Sequence, residues 1–217
     1  MTDAPLPYAA YVFDLDGTLI DSAPGIHAAV ASMCAELDLP APDLETMTGF
    51  IGNGVPTLIA RVLAWAEADP DRHPEALAAF TRAYEADPAG GTTILPGVPE
   101  TLRALATRGA RIGLCTNKPA APARAILDLL ALGPFHAVAG GDTLSVHKPD
   151  PAPLLHVIAA LGATPDTTLY IGDSAVDWTT ADAANVDYAH LHGGYQNGRI
   201  PAQGPAQWID ILSDLLP

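Results

Sequence analysis

Short apolar runs closed by polar turns alternate with longer stretches of helical periodicity from about residue 95 onward, the pattern of βαβ units building a parallel sheet. Strands are predicted at residues 9–13, 111–115, 137–140, 168–171 and 188–191, and helices at 98–107, 121–130, 151–161 and 175–184. Gly109 and Gly162 follow two of these helices, and Asn185 suits the left-handed position after a third. Between the first strand and this region lies a long stretch of helical periodicity with no β-like run, which is too much for a crossover. Residues 24–37, 44–50, 55–66 and 74–86 read as amphipathic helices, broken by Gly52-Asn53-Gly54 and by Pro70 and Pro74. The expected architecture is α/β. A Rossmann-like parallel sheet with helices on both faces spans residues 1–20 and 93–217, and an inserted α-helical domain spans 21–92, with hinges near 19–23 and 90–95.

Composition narrows the class. A chain of 217 residues, 49% of them hydrophobic, has ample material for a core and is not a disordered one. Residues 1–10 lack the basic region and apolar stretch of a secretory signal, and no apolar run approaches a membrane span, so the expected setting is the cytoplasm. Two cysteines, Cys34 and Cys115, fit a reducing compartment and lack metal-type spacing. A net charge of −15 with only ten Lys and Arg argues against nucleic acid and anionic membranes as partners. The same field would not steer an anionic substrate inward, so local cations must hold one. Sequence alone leaves monomer or homodimer open.

The candidate chemistry sits in the turns that end the strands. Tyr11-Val12-Phe13 runs into Asp14-Leu15-Asp16-Gly17-Thr18, where two carboxylates two residues apart share one face. Oxygen donors of this kind suit a hard cation such as Mg²⁺. Only two lysines occur, Lys118 after the 111–115 strand and Lys148 in His147-Lys148-Pro149-Asp150-Pro151, and arginine serves the remaining cationic positions. A further acidic turn, Gly172-Asp173-Ser174-Ala175-Val176-Asp177, follows the 168–171 strand, and Asp173 could equally be a helix N-cap. In an open α/β sheet ligands bind outside the carboxyl ends of the strands, and all of these groups belong there. The seven histidines show no ligand spacing paired with a carboxylate motif beyond His190 and His192, which alternate on a late strand and read as packing or solvent-facing residues, and Trp65 and Trp208 read as core or interface anchors.

These four motifs, Asp14-Leu15-Asp16-Gly17-Thr18, Thr116-Asn117-Lys118, Lys148-Pro149 and Gly172-Asp173 with Asp177, resemble the haloacid dehalogenase superfamily of phosphohydrolases. The helical insert resembles the subgroup with an α-helical cap. More narrowly, Phe50-Ile51-Gly52-Asn53-Gly54, the helix carrying Arg61, Thr116-Asn117-Lys118-Pro119 and the loop 193–198 look like the bacterial phosphoglycolate phosphatases. Val176 departs from that group, which often has Asn there.

The resemblance implies a Mg²⁺-dependent phosphomonoesterase acting on a small phosphomonoester. Asp14 would attack phosphorus and form an aspartyl-phosphate, Asp16 would act as acid and base, and Thr116 and Lys148 would stabilise the phosphoryl group. Mg²⁺ and Lys148 would cancel a repulsion of about 4 kcal/mol between carboxylate and phosphate at 4 Å and an effective dielectric of 20. Metal ligands would be Asp14, Asp173 and the Asp16 carbonyl, supported by Asp177. Thr18, Asn117, Gly52, Asn53 and Arg61 would face the substrate, and the Gly52-Asn53-Gly54 loop with Arg61 would read a carboxylate if the substrate is 2-phosphoglycolate. A β-phosphoglucomutase-like enzyme, a phosphatase for other sugar phosphates or pyrophosphate, and an inactive binding homologue are the alternatives.

Overall fold

Tyr11 and Phe13 turn to one side of the first strand and Ala10 and Val12 to the other, and all four are fully buried. A strand so covered on both faces belongs at the centre of a sheet. In the computed structural model, which describes residues 6–195, 198, 200–202 and 204–216, that strand is β1 (Ala10–Phe13). The chain leaves it through β2 (Ile20–Asp21) and enters four helices, α1 (Ala23–Glu36), α2 (Leu44–Thr48), α3 (Val55–Trp65) and α4 (His73–Ala86). It returns through β3 (Thr93–Ile94), which pairs antiparallel with β2 as a two-stranded ribbon.

Next come α5 (Val98–Thr107), β4 (Arg111–Cys115), α6 (Ala120–Leu129), β5 (Ala137–Ala139) and α7 (Ala152–Ala160). The described chain finishes with β6 (Thr168–Gly172), α8 (Ala175–Ala184), β7 (Asp187–Leu191) and β8 (Gln207–Ile209). The main sheet runs β5-β4-β1-β6-β7-β8 with every pairing parallel, the expected α/β arrangement. Connections go to one side of β1 first and the other side afterwards, so the topological switch falls at β1. Phe13 is level with Leu114 and Ile171 in its neighbours, which brings the carboxyl ends of β1, β4 and β6 to one rim.

Helices α7 and α8 pack on the face carrying Val12, Cys115 and Tyr170. Helices α5 and α6 cover the face carrying Tyr11 and Phe13, and the apolar cluster there continues without a break through Leu15 and Leu19 into Ile26, Leu58 and Phe80 of the inserted helices. Proline opens five helices within their first two positions, at Pro24, Pro56, Pro74, Pro99 and Pro153, where its missing N–H leaves no hydrogen bond unmade. Asn185 takes the left-handed conformation after α8, with φ 54°. No described helix is long and apolar enough to cross a membrane. Three strands lie outside the sequence reading: β2, β3 and β8 are two or three residues long, too short for periodicity to register.

Candidate active site

Each strand end at the central rim delivers one functional group. Asp14 directly follows β1, Thr116 follows β4 and Asp173 follows β6, and the three strands are neighbours. Lys148 comes from the segment between β5 and α7, and its ammonium is buried, with the residue 1% exposed. Its Nζ lies 2.9 Å from Asp14 Oδ1 and 2.6 Å from Asp177 Oδ1, and donates to the Tyr170 hydroxyl at 2.9 Å. Asn117 keeps this lysine in position: its side chain accepts from the Lys148 N–H at 2.9 Å and donates to the Lys148 carbonyl at 3.0 Å. The same amide donates to the Gly52 carbonyl at 3.0 Å, joining the α2–α3 loop to the sheet rim.

Three carboxylates, Asp14, Asp173 and Asp177, are buried with oxygens within 4.8 Å of one another, facing one ammonium. The imbalance is written into their proton affinities. Burial pushes the Asp14 carboxyl up to about 7, the Lys148 ammonium opposing and the Asp177 charge reinforcing. Burial, with the Asp177 and Asp14 charges behind it, raises Asp173 to about 8. Asp177 is also penalised by burial, but Lys148 and hydrogen bonds from Ser174 and Tyr170 outweigh that and hold it below the usual carboxylate range. Burial works against the charged form of Lys148 too, yet Asp14 and Asp177 more than compensate and its pKa is raised.

Asp177 has no oxygen left over: Oδ1 accepts from Lys148 and from Tyr170 at 2.7 Å, and Oδ2 accepts from Ser174 Oγ at 2.5 Å and Ser174 N at 3.2 Å. Asp173 is held by Thr18, whose hydroxyl donates to Oδ1 at 2.9 Å, and by the Tyr195 N–H, which donates to Oδ2 at 2.7 Å. Two glycines wall it in. A Cβ on Gly17 would stand 2.5 Å from Asp173 Oδ2, and one on Gly194 would stand 2.3 Å from the Asp173 Cβ. Asp14 Oδ1, by contrast, is buried without an aligned hydrogen-bond donor. The tyrosine that holds Asp173 also accepts, through its hydroxyl, from Ser22 N at 2.7 Å and Ala23 N at 2.8 Å, and donates to Asp21 Oδ1 at 2.9 Å.

A cavity of about 290 Å³ opens between the rim and the inserted helices, lined on the rim side by Asp14, Asp16, Thr116 and Lys118 and on the helical side by Ile51, Phe80 and Tyr84. Asp16 is turned away from the Asp14 cluster. Its Oδ1 accepts from Ser22 Oγ at 2.5 Å, and the Lys118 ammonium spans Oδ1 and Oδ2 at 2.9 and 3.1 Å.

The sequence-predicted residues therefore divide. Asp14, Asp16, Thr116, Asn117 and Gly52 line the cavity, and Lys148, Asp173 and Asp177 stand behind Asp14. Thr18, expected to face the substrate, is fully buried and donates its hydroxyl to Asp173. Arg61 donates to the Phe50 carbonyl at 2.9 Å and to Asn53 Oδ1 at 2.8 Å, and both residues line a separate cavity with Val176 and Pro149. Asp173 is not an N-cap, because Ser174 caps α8. Ser22, Tyr84, Tyr170, Ser174 and Tyr195 were given no role by the sequence reading, the last signalled only by its place after Gly193-Gly194 in the 193–198 loop. Gln196 and Asn197 of that segment lie outside the described residues.

Comparison with known proteins points the same way. Residues 8–185 match the family model described as haloacid dehalogenase-like hydrolase. The chain is 49% identical over 211 residues to a phosphoglycolate phosphatase of Cereibacter sphaeroides, covering 94% of this chain and 96% of that protein. It is 44% identical to a phosphoglycolate phosphatase of Pseudomonas putida, covering 95% and 78%. Among solved structures, a predicted phosphoglycolate phosphatase of Haemophilus somnus superposes with a TM-score of 0.89 at 30% identity, covering 97% of each chain.

Proposed function

This chain belongs to the haloacid dehalogenase-like hydrolases and is a phosphoric monoester hydrolase, and on that premise we propose that it converts 2-phosphoglycolate to glycolate and phosphate in the cytoplasm. The observation that carries the reading is the Asp14 carboxylate, lining the cavity at the switch point of the sheet with Lys148 at its back. Asp14 attacks phosphorus in line, the new P–O bond forming as the bond to the glycolate oxygen breaks. Asp16 donates a proton to that oxygen, then takes one from the water that attacks the aspartyl-phosphate and returns Asp14. Thr116 and the amides around Leu15, Asp16 and Asn117 hold the equatorial oxygens. The helices between β2 and β3, residues 21–92 of our proposed two-domain division, act as a cap that excludes water. Kinetic comparison in Mg²⁺ is the test: kcat/KM for 2-phosphoglycolate is expected to exceed that for hexose phosphates by at least about tenfold, and the reverse order would sink this substrate.

The donor set fits a divalent cation. All three clustered groups are carboxylates, one oxygen of Asp14 lacks an aligned donor, and a charge of +2 would bring Asp14, Asp173, Asp177 and Lys148 to neutrality. Asp14 and Asp173 would hold Mg²⁺, joined by the Asp16 carbonyl, while Asp177, already saturated by donors, would support it from outside. When bound, the ion supplies charge neutralisation between nucleophile and phosphate.

A pH dependence follows. Asp14 near 7 and Asp173 near 8 are raised above an ordinary carboxylate, so the folded chain binds more protons than the unfolded one across the interval. Their stabilising contribution is present in acid and is lost as pH rises through about 7 to 8. Asp177, held low, acts in the opposite sense and only in acid. Deprotonation is also what a cation requires. The rise in melting temperature on adding Mg²⁺ to chelator-treated protein is therefore expected to be larger at pH about 8.5 than at pH about 6. An equal rise at both would remove Asp14 and Asp173 as the ligands.

A further inference from the structure

The cavity has an unusual charge inventory. Of the residues lining it, Asp14, Asp16 and Glu85 are acidic and Lys118 alone is cationic, while most of the helical wall, Ile26, Leu58, Leu77 and Phe80 included, is apolar. Among the described residues no arginine lines it, and Arg61 is tied to Phe50 and Asn53 beside another cavity. The Lys118 side chain is only 5% exposed, and its ammonium spans both oxygens of Asp16 while lying 5.0 Å from the centre of the Tyr84 ring. Tyr84 projects from α4, lines the same cavity and is 7% exposed, and its hydroxyl is buried beside the Lys118 ammonium with no aligned acceptor. A buried phenol beside a lysine, against an apolar stretch of the helical wall, is an anion site that lacks its second anion. Asp16 occupies the lysine, and no acceptor is aligned with the phenol. With Ser22 also on Oδ1, both oxygens of Asp16 already accept a hydrogen bond.

We propose that Lys118 and the Tyr84 hydroxyl together receive the carboxylate of an anionic leaving group, and that this exchange of partners releases the Asp16 carboxyl to protonate the alcohol oxygen as its bond to phosphorus breaks. The substrate class is a small phosphomonoester whose alcohol carries its own carboxylate, so the inference rests on the reading above and assigns the groups that enforce it. A neutral alcohol of the same size would fill the pocket without displacing Asp16. Selectivity then comes from a site with a buried unpaired donor, which penalises any substrate that leaves it unmet.

The experiment compares 2-phosphoglycolate with its carboxyl methyl ester, both in saturating Mg²⁺, on wild type, Lys118→Met, Lys118→Arg and Tyr84→Phe. Wild type is expected to prefer the free acid. In Lys118→Met kcat/KM for the free acid should fall about 100-fold or more, and the loss on the methyl ester should be at least about 20-fold smaller. Lys118→Arg should restore part of the preference, and Tyr84→Phe should lower it about tenfold. Melting curves establish that each variant folds, and if Lys118→Met does not, the arginine and phenylalanine variants carry the test. Equal losses on the two esters in a wild-type-active system would overturn this assignment and leave the phosphatase reading standing. A wild type inactive on both would overturn the substrate reading and this assignment together.

Discussion

Asp14→Asn is expected to lower kcat by at least about 10³-fold, equivalent to about 4 kcal/mol of transition-state stabilisation, while leaving the melting temperature of the cation-free protein unchanged or higher. The two halves of the expectation have one cause. The carboxylate is the attacking group, and the amide that replaces it has nearly the same shape and no nucleophilic oxygen. The carboxylate is also held against burial and beside Asp177, which is why its pKa stands near 7. Removing that charge relieves the cluster, and Lys148 keeps Asp177 as a partner at 2.6 Å. Steady-state turnover of 2-phosphoglycolate and a thermal melt measure both halves. Turnover at a rate comparable to wild type would remove Asp14 as nucleophile.

Lys148→Met is the substitution expected to damage the fold most. Among the described residues its ammonium is the one cation paired with Asp14 and Asp177, and Asp177 is completely buried. Truncating one partner of a buried ion pair leaves the other charge uncompensated, at a cost of about 3–5 kcal/mol. For a chain of this length that corresponds to a fall in melting temperature of roughly 10 °C. The hydrogen bonds from Tyr170 and Ser174 to Asp177 soften the loss without neutralising it. The double variant Lys148→Met/Asp177→Asn should regain more than half of the stability and none of the turnover. Differential scanning calorimetry of the pair decides the matter: a single variant melting within about 2 °C of wild type would show that the pair is not a buried electrostatic unit.

The positions of the reacting groups were legible because they are a property of the backbone. Short apolar runs ending in Asp14, Thr116 and Asp173 identify strand ends, and parallel strands in an α/β sheet bring those ends to one rim. Residues 98–107, 111–115 and 175–184 were delimited correctly because proline, glycine and Asn185 punctuate the helices at positions that backbone geometry demands. What escaped is what side chains decide after packing. Thr18 and Arg61 sit within or beside recognisable motifs, yet nothing local dictates that one hydroxyl turns to a residue 155 positions away or that the other guanidinium folds back on its own loop. The union of Lys118 with Asp16, 102 positions apart, is of the same kind. The two lysines stand out by rarity and by motif, and the fold adds which carboxylate each one meets, Asp14 for Lys148 and Asp16 for Lys118.

Tyr195 holds Asp173 with its main chain and the first turn of α1 with its hydroxyl. One residue thus works as a strut between a carboxylate at the sheet rim and the root of the helical lobe, and its length is fixed by a single aromatic ring. Drift at Asp21 or Ser22, remote in sequence from the β6 turn, is consequently felt at Asp173, so tuning the lobe by mutation at its root also retunes the acidic cluster beneath it.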